Sequence, residues 1–447
     1  VSINLVGAVE SEELIVHETS GIAPSVPKAS AMNEAQTRKV YIDTYLEEAG
    51  WEVLEPTGKT TLAGGKKVDS GTPYPGKACC EIPVQGLPTA TGLGFCDYVL
   101  YAKDGKPLAI IEAKRTSVDP IVGQQQVREY GRCMENEYGY VPVLYYTNGY
   151  NIFVIDGKYP PRKVAAFHTL DELDYMIQRR SNNGITDLTI DKNIAGRPYQ
   201  AIAITSICER FNKNYRRGLL VMATGTGKTR TTIALVELLT RNGFIKNVLF
   251  LADRTSLVRQ AFKDFKTLLP DFTYCVLSDR SLADDNNARI TMSTHQTMIN
   301  YIDAESKQFT VGRFDLIVID EAHRSIFNKY GAIFEYFDSL LVGLTATPKD
   351  EVDANTYDLF GCESGVPNYA YSLKEAVADH YLVPYKLVNR TTKGLEDGIN
   401  YDDLSDEDKE MVNKLSDEEF VDGDIITTNK LFRKVFTKDT CRKVLDD

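Results

Sequence analysis

A short glycine-rich segment near the middle of the chain has the residue types that bind phosphate groups. The segment Ala223–Thr229 reads ATGTGKT and lies between the apolar stretch Gly218–Met222 and a helix predicted over Lys228–Arg241. Backbone N–H groups of such a loop, together with a helix N-terminus, can surround phosphate oxygens. We therefore expect an ATP site that includes Thr224, Gly225, Thr226 and Gly227.

Two side chains at the end of this loop would complete the nucleotide site. The ammonium group of Lys228 can reach the β- and γ-phosphates, and the hydroxyl of Thr229 can complete the coordination of Mg²⁺. Met222 stands where the usual pattern has its first glycine. A glycine-rich turn that only caps a helix is the alternative.

Two adjacent carboxylates follow another apolar stretch. Leu316–Ile319 is followed directly by Asp320 and Glu321. Ligands of parallel sheets bind beyond the carboxyl ends of the strands, so Asp320 would hold the hydrated Mg²⁺ of ATP, and Glu321 would orient or deprotonate the attacking water. A simple helix cap is the alternative, although a phosphate loop earlier in the same unit argues against it.

A second set of chemically active residues lies closer to the N-terminus. Two β-like stretches flank Asp104-Gly105, which is a strong signal for a two-residue hairpin loop. If Lys103 pairs with Lys106 across this loop, the register places Asp97 opposite Glu112. Like charges at such spacing repel each other unless a cation lies between them.

A divalent cation would supply the positive charge between these two carboxylates. Oxygen ligands suit Mg²⁺ or Mn²⁺, which can activate water and stabilise charge on a scissile phosphate. Lys114 projects from the same face as Glu112 and would orient the nucleophile. We expect Asp97, Glu112 and Lys114 to be catalytic, with Asp97 and Glu112 as the metal ligands. An exposed hairpin end with scattered charges is the alternative.

The spacing of apolar residues predicts a mixed α/β chain. A helix is predicted from Asn33, with Gly50 just after its last apolar position as a stop, and β-like runs follow at 96–103, 107–113, 141–147 and 151–155. Polar residues at 179–196 indicate a linker. Beyond it, buried strands alternate with helices, which indicates a parallel sheet covered on both faces. These segments are Gly218–Met222, Lys228–Arg241, Val248–Ala252, Leu257–Leu268, Leu316–Ile319 and Leu341–Leu344.

The composition excludes disordered, collagenous and membrane-spanning chains. The 447 residues are 43% hydrophobic and 26% charged, with a net charge of −12. Because the segment 396–424 alone carries −11, the acidity is local and does not argue against a DNA partner. The eight cysteines have neither metal-ligand spacing nor the density of a disulfide scaffold. We expect no membrane association and a cytoplasmic location.

Five motifs in the second half resemble, in the same order, those of the first motor domain of superfamily 2 helicases and translocases. They are Arg197-Pro198-Tyr199-Gln200, the phosphate loop, Ser293-Thr294-His295-Gln296-Thr297, Asp320-Glu321-Ala322-His323 and Thr345-Ala346-Thr347. The resemblance implies that Gln200 reads the adenine edge, and that His323, which would lie beside the bound ATP, couples hydrolysis to movement with Thr345 and Thr347. It also implies that segments 248–265 and 293–297 track a nucleic-acid strand.

The hairpin carboxylates resemble the PD-(D/E)xK nuclease core, with Cys96 in place of the proline. Gln126 and Tyr130 match the Gln-x-x-x-Tyr helix of RecB-like nucleases. Glu34 matches an acidic residue that can join the metal site in those nucleases. Ordinary packing is the alternative for Gln126 and Tyr130, and a solvated helix face is the alternative for Glu34.

A nuclease core followed by such a motor is similar to the restriction subunit of type I restriction-modification enzymes. The resemblance implies an ATP- and Mg²⁺-dependent enzyme that translocates double-stranded DNA and cleaves unmodified DNA away from the recognition site. Its partners would be modification (methyltransferase) and specificity subunits. The alternatives are a type III-like or repair ATP-dependent nuclease, and a DNA-loading translocase subunit whose hairpin carboxylates are structural.

The expected organisation has five parts. They are a leader at 1–30, a PD-(D/E)xK endonuclease domain at 31–178, a linker at 179–196, a RecA-like doubly wound parallel-sheet motor domain at 197–383, and the start of a second motor domain at 384–447. No second arginine-bearing motif set can be placed after Pro384. We therefore expect a fragment that binds ATP but hydrolyses it slowly.

Overall fold

The computed structural model describes most of the chain between Asn33 and Pro384. The described residues are 33–62, 67–181, 184–277, 287–303, 308–322, 325–347, 354–384, 399–400, 409 and 425–426. The chain divides into two compact units, Val1–Leu382 and Val383–Asp447. The expected leader at 1–30 and nearly all of the expected second motor domain at 384–447 lie outside the described residues. In the second unit, β17 (Ile399–Asn400) pairs antiparallel with β18 (Ile425–Ile426).

The first sheet is mixed and has seven strands in the order β1-β4-β5-β6-β7-β8-β9, while β2 and β3 form a separate pair. Strands β4, β5 and β6 are antiparallel, and helix α3 then crosses over so that β7 runs parallel to β6. The elements are α1 (Glu34–Thr37), a π-helical turn (Arg38–Ile42), α2 (Asp43–Glu48), β1 (Val53–Leu54), β2 (Gly58–Thr61), β3 (Lys67–Ser70), β4 (Ala78–Gln85), β5 (Leu93–Tyr101), β6 (Pro107–Ala113), α3 (Val122–Tyr138), β7 (Val143–Thr147), β8 (Ile152–Ile155), β9 (Arg162–Val164), α4 (Leu170–Gln178) and a 3₁₀ turn (Arg179–Ser181).

The second sheet also has seven strands, in the order β12-β13-β11-β14-β15-β10-β16, and every neighbouring pair is parallel. Two separate apolar clusters cover its two faces, as the uninterrupted apolar strands predict. The elements are α5 (Pro198–Asn212), β10 (Arg217–Met222), α6 (Lys228–Arg241), β11 (Val248–Ala252), α7 (Thr255–Leu268), β12 (Tyr274–Val276), β13 (Ile290–Thr294), α8 (His295–Asp303), β14 (Leu316–Asp320), α9 (Ser325–Tyr336), β15 (Leu340–Thr345), α10 (Ala354–Leu359), β16 (Tyr369–Tyr371) and α11 (Leu373–Ala378).

The two sheets belong to one compact unit and share a buried charge cluster. Arg162 begins β9 of the first sheet, and Asp338 precedes β15 of the second. The guanidinium of Arg162 donates to both carboxylate oxygens of Asp338, at 2.6 Å each. Arg216 lies 2.6 Å from the same carboxylate, and His168 lies 3.3 Å from it. We call these four residues the Asp338 cluster. The cluster ties the first sheet to the second.

The segment expected to be a linker is packed against the second sheet. Ile185, Ile194 and Ala195 are each 3% exposed and belong to its core. Within the described ranges, no helix is long and apolar enough to cross a membrane. The seven cysteines of those ranges are free thiols, and six of them are buried, in keeping with a role as small apolar side chains.

Candidate active sites

The hairpin carboxylates lie side by side on neighbouring strands. Tyr98 pairs with Ile111 in the ladder between β5 and β6, so the next position places Asp97 level with Glu112. Asp97 is 8% exposed and Glu112 is 2% exposed. The backbone N–H of Ala113 donates to Asp97 Oδ2 at 2.7 Å, which fixes the orientation of that carboxylate.

The hairpin loop predicted from Asp104-Gly105 is wrong in length, although the predicted register holds. Ala102, not Lys103, bonds to Lys106, and this closes a three-residue loop with Gly105 at φ +84°. Three-residue loops of this kind place a left-handed residue, usually glycine, at their last position. A register shift between Leu100 and Tyr101 then restores the pairing that a two-residue loop would have produced.

Lys114 and the following helix complete one side of this site. Lys114 Nζ donates to Glu112 Oε1 at 2.6 Å and to Gln126 Oε1 at 3.1 Å. Gln126 in turn donates to the hydroxyl of Tyr130 at 2.9 Å. Helix α3 approaches closely because its second residue is Gly123, where a Cβ would lie 3.2 Å from Glu112 Cγ. The structure therefore brings together Glu112, Lys114, Gln126 and Tyr130.

Burial makes the two carboxyl groups weak acids. Burial and the charge of Asp97, against the opposing charge of Lys114, together raise the pKa of Glu112 to about 8. Burial also raises the pKa of Asp97 to about 6, against the Ala113 N–H and Arg38. Glu34, half-buried on α1, is close enough for its charge to raise both values. A cation between the carboxylates would reverse these shifts.

Two residues of this site escaped the sequence analysis. Arg38 lies in the π-helical turn, and its guanidinium contacts Glu81 and reaches Asp97 Oδ1 at 3.4 Å. Glu81 is on β4 with φ +53°, a conformation that is rare for residues other than glycine. The local signal that could have pointed to this site was a carboxylate, Glu81, at a strand position. Its pairing with Arg38 could not be inferred locally, because Arg38 is 43 residues away.

The phosphate loop has the conformation that a nucleotide site needs. Gly225 and Gly227 have φ values of +83° and +85°, and a Cβ on Gly227 would lie 2.7 Å from Gln200 Nε2. Lys228 begins α6, so its backbone N–H stands at the helix N-terminus. Thr226 is buried, and its hydroxyl donates to the Ala223 carbonyl at 2.6 Å. Thr224 is exposed, and Thr229 is half-buried on the first turn of α6.

The strand-end carboxylates face the loop lysine. Lys228 Nζ lies 3.0 Å from Glu321 Oε1, and Glu321 has φ +56°. Burial raises the pKa of Asp320; the charge of Glu321 adds to this shift and Lys228 opposes it. Strand β15 lies between β14 and β10, so Thr345 stands between these carboxylates and the phosphate loop. Thr347 donates its backbone N–H to Thr345 Oγ1 at 3.1 Å.

Gln200 is buried against the phosphate loop. Its amide oxygen accepts from the Arg197 N–H at 3.2 Å, and its amide nitrogen donates to the Gly227 carbonyl at 3.3 Å. These contacts hold α5 to the loop, and adenine reading by Gln200 stays a prediction. His323 lies outside the described residues. Of the segments expected to track nucleic acid, 248–265 covers β11 and most of α7, and 293–297 spans the end of β13 and the start of α8.

Comparison with known proteins agrees with both halves. Residues 83–163 match the family model described as the type I restriction enzyme R protein N terminus, and residues 193–350 match that of the type III restriction enzyme res subunit. The EcoAI endonuclease subunit of Escherichia coli, a type I restriction enzyme, is 34% identical over 67% of this chain and 40% of its own length. The chain is a relative of type I restriction enzyme R subunits.

Two further proteins are similar to this chain. The EcoKI endonuclease subunit of Escherichia coli K12 is 27% identical over 83% of this chain and 37% of its own length. A solved fragment from Vibrio vulnificus YJ016, assigned as an HsdR subunit, is 26% identical and covers 78% of this chain and 61% of that chain, with a TM-score of 0.32. The chain spans about two fifths of the length of the two Escherichia coli relatives.

The side chains at the two sites have the chemistry that Mg²⁺ and a nucleotide would require. Glu112 Oε2 is buried and has no hydrogen-bond partner in the described part of the chain. That part contains no cluster of three His, Cys, Asp or Glu side chains able to hold a metal ion. Two carboxylates still suit Mg²⁺, which commonly keeps several waters and takes further oxygens from substrate phosphates. The phosphate loop presents Lys228 and a helix N-terminus, which suit a nucleotide triphosphate.

Proposed function

We propose that this chain provides the nuclease and the ATP-binding motor of a type I restriction enzyme. In this proposal, residues 31–178 form a PD-(D/E)xK nuclease domain, 179–196 connect it to the motor, 197–383 form a RecA-like motor domain, and 384–447 begin a second one. The enzyme would translocate double-stranded DNA and cleave unmodified DNA away from its recognition site. Modification and specificity subunits in the cytoplasm would supply recognition of the sequence.

One observation carries this proposal: a single compact unit contains both a carboxylate pair with a lysine and a phosphate loop with an acidic strand end. Asp97 and Glu112 stand level on adjacent strands, with Lys114 on Glu112. Lys228 contacts Glu321. The run β4–β5–β6–α3–β7, which carries Asp97 and Glu112, is also consistent with the PD-(D/E)xK core.

In the nuclease, Asp97 and Glu112 would hold Mg²⁺. The metal supplies a Lewis acid and an activated water when it is bound. Lys114, already held by Glu112 and Gln126, would orient the nucleophile at the scissile phosphate. Gln126 and Tyr130 would keep the ammonium group in place, and the negative charge of Glu34 would strengthen cation binding.

In the motor, Lys228 would exchange its contact with Glu321 for the β- and γ-phosphates of ATP. Glu321 would then be released to orient the attacking water, while Asp320 and Thr229 would hold Mg²⁺. The backbone of Thr224, Gly225, Thr226 and Gly227 would surround the phosphates, and Gln200 would contact adenine. Thr345 and Thr347, beside the strand-end carboxylates, would relay hydrolysis to movement together with His323.

The test uses the R subunit that carries this chain, assembled with its modification and specificity subunits on unmodified plasmid DNA. We expect Lys114→Ala to reduce cleavage by at least ~10²-fold, because it removes charge stabilisation at the reacting phosphate, and to leave ATP hydrolysis and translocation intact. We expect Lys228→Ala to abolish translocation and distant cleavage together. ATP hydrolysis, triplex displacement and plasmid nicking provide the three readouts.

Two exposed lysines serve as matched controls. Lys106 lies at the far end of the same hairpin with a side chain that is 64% exposed, and Lys213 is exposed after α5. Alanine at either position should change none of the three readouts. Unchanged cleavage by Lys114→Ala would contradict the nuclease assignment and favour a DNA-loading translocase whose hairpin carboxylates are structural.

A further inference from the structure

The nuclease site contains a third carboxylate in the same row as Asp97 and Glu112. Cys80 pairs with Tyr98, and Ile82 pairs with Cys96, so Glu81 stands level with Asp97 on the neighbouring strand. Three adjacent strands therefore present Glu81, Asp97 and Glu112 at one level. Such a row has two gaps between like charges, and each gap calls for a cation.

Arg38 fills the first of these gaps. Its guanidinium contacts Glu81 and lies 3.4 Å from Asp97 Oδ1. The side chain of Arg38 is 15% exposed and packs 4.9 Å from the centroid of the Tyr98 ring, and Tyr98 donates to Asp43 at 2.6 Å. The guanidinium is thus held by the Tyr98 ring as well as by the two carboxylates.

The backbone at Glu81 is shaped for this contact. The left-handed φ of Glu81 interrupts the alternation of β4, so Cys80 and Ile82, two residues apart, join different core clusters. Such conformations in a residue other than glycine cost roughly 1–3 kcal/mol and tend to occur at functional sites. The interruption lets Arg38, which comes from the N-terminal helix, reach the carboxylate row.

In the described part of the chain, no protein cation lies in the second gap, between Asp97 and Glu112. Of the two Glu112 oxygens, Lys114 contacts Oε1, while Oε2 is buried and has no hydrogen-bond partner among the described residues. This oxygen and Asp97 therefore remain for a bound ion. The two gaps differ because one is permanently filled by a side chain and the other is not.

We infer that the carboxylate site takes a single divalent cation, between Asp97 and Glu112, and that Arg38 occupies the place of a second one between Glu81 and Asp97. The inference rests on the proposed nuclease function and adds the number of ions and two positioning residues, Arg38 and Glu81. A fixed guanidinium cannot leave with solvent, so the side of Asp97 facing Glu81 stays neutralised before and after metal binding.

The experiment counts Mn²⁺ bound to the full 447-residue chain by isothermal titration and electron paramagnetic resonance, without nucleotide. Ions at the carboxylate site are those lost in Asp97→Asn. We expect one such ion in the unaltered chain and two in Arg38→Met, with a dipolar coupling between the two Mn²⁺ spins. Adding Glu81→Gln to Arg38→Met should return the number to one.

Two further variants guard against a general disturbance. Arg38→Lys keeps the charge and should still bind one ion. Arg128→Met, at an exposed position of α3, should also bind one. If Arg38→Met does not fold, the number of Mn²⁺ ions bound to the unaltered chain and to Arg38→Lys still decides whether the site takes one ion.

The possible counts separate this inference from the function on which it rests. Two ions in the unaltered chain, or one in folded Arg38→Met, would overturn the role of Arg38 and leave the nuclease site standing. No ion that depends on Asp97 would overturn both. One ion in the unaltered chain and in Arg38→Lys supports the inference, and a second, spin-coupled ion in Arg38→Met supports it further.

Discussion

Two groups of buried carboxylates in the first unit have opposite electrostatic surroundings. In the Asp338 cluster, Arg162 and Arg216 engage both oxygens of Asp338, whose side chain is 4% exposed. In the proposed nuclease site, Glu112 is 2% exposed; Lys114 contacts one of its oxygens, and the other has no hydrogen-bond partner in the described part of the chain. Both carboxylates are buried, but Asp338 has two guanidinium groups beside it, whereas Glu112 has one ammonium group and a second carboxylate, Asp97.

The pKa values follow this difference. Burial by itself would raise the pKa of Asp338, but Arg216 and Arg162 outweigh it and hold the pKa well below its ordinary value. At Glu112 burial prevails, and the pKa rises to about 8. A buried carboxylate with enough counter-ions stays charged, and its removal leaves those cations unpaired; one with too few counter-ions costs stability when it is charged and is able to bind a further cation.

The largest effect is expected from Asp338→Asn. Removing one partner of a buried ion pair costs about 3–5 kcal/mol, because Arg162 and Arg216 would be left buried without their counter-ion. We expect this loss in the free energy of unfolding, measured by urea denaturation at pH 7. The low pKa of Asp338 means that the stabilisation is complete at neutral pH and disappears only as the pH falls through that value.

Asp271→Asn is the matched control for this prediction. Asp271 is exposed after α7, and substitutions at such positions usually change stability by less than ~0.5 kcal/mol. If Asp338→Asn were as stable as Asp271→Asn, the cluster would contribute nothing to the joint between the two sheets.

An effect of opposite sign is expected from Glu112→Gln. The unfolded chain releases this proton near pH 4.5, while the folded metal-free chain holds it to about pH 8, so stability falls as the pH rises between these values. Glutamine cannot ionise, and each pKa unit corresponds to about 1.4 kcal/mol. We expect the variant to be more stable than the unaltered chain at pH 8 without metal, and equally stable near pH 4.5.

Thermal unfolding between pH 4.5 and 8, with and without Mg²⁺, measures this effect. Mg²⁺ should stabilise the unaltered chain at pH 8 and leave Glu112→Gln unchanged. If Glu112→Gln were less stable than the unaltered chain at pH 8, Glu112 would be a structural carboxylate, as Asp338 is.

The same comparison shows how far the sequence could predict this molecule. Strands such as Val248–Ala252 and the helix Lys228–Arg241 were predicted with their observed bounds, because uninterrupted apolar runs and a glycine stop are local signals. Strand β4 was missed because Pro83 and Glu81 break the apolar pattern of its residues. The position of Asp97 opposite Glu112 was predicted from a two-residue loop, and it holds because the register shift between Leu100 and Tyr101 offsets the extra loop residue.

Contacts between distant parts of the chain could not be predicted. Arg38 and Asp97 are 59 residues apart, and Arg162 and Asp338 are 176 residues apart, so no spacing rule connects them. The polar composition of 179–196 indicated a linker, but Ile185 and Ile194 pack into the core of the second sheet. The roles of the predicted site residues stay predictions until the variants are measured.

The smallest effect on stability is expected from Gly123→Ala, which tests whether the carboxylate site depends on close packing. A Cβ at Gly123 would lie 3.2 Å from Glu112 Cγ, so the Glu112 side chain must shift by a few tenths of an ångström, whereas the 3.5 Å distance from this Cβ to Lys114 Cε is an ordinary contact. Alanine also favours helix by about 1 kcal/mol, so the net change in the free energy of unfolding should stay within ~1 kcal/mol.

We expect Mg²⁺-dependent cleavage by the assembled enzyme to fall several-fold, whereas Gln125→Ala, at an exposed position of the same helix, should cleave normally. Normal cleavage by Gly123→Ala would show that the site tolerates displacement of Glu112, as a loosely held pair of surface charges would and a preorganised metal site would not.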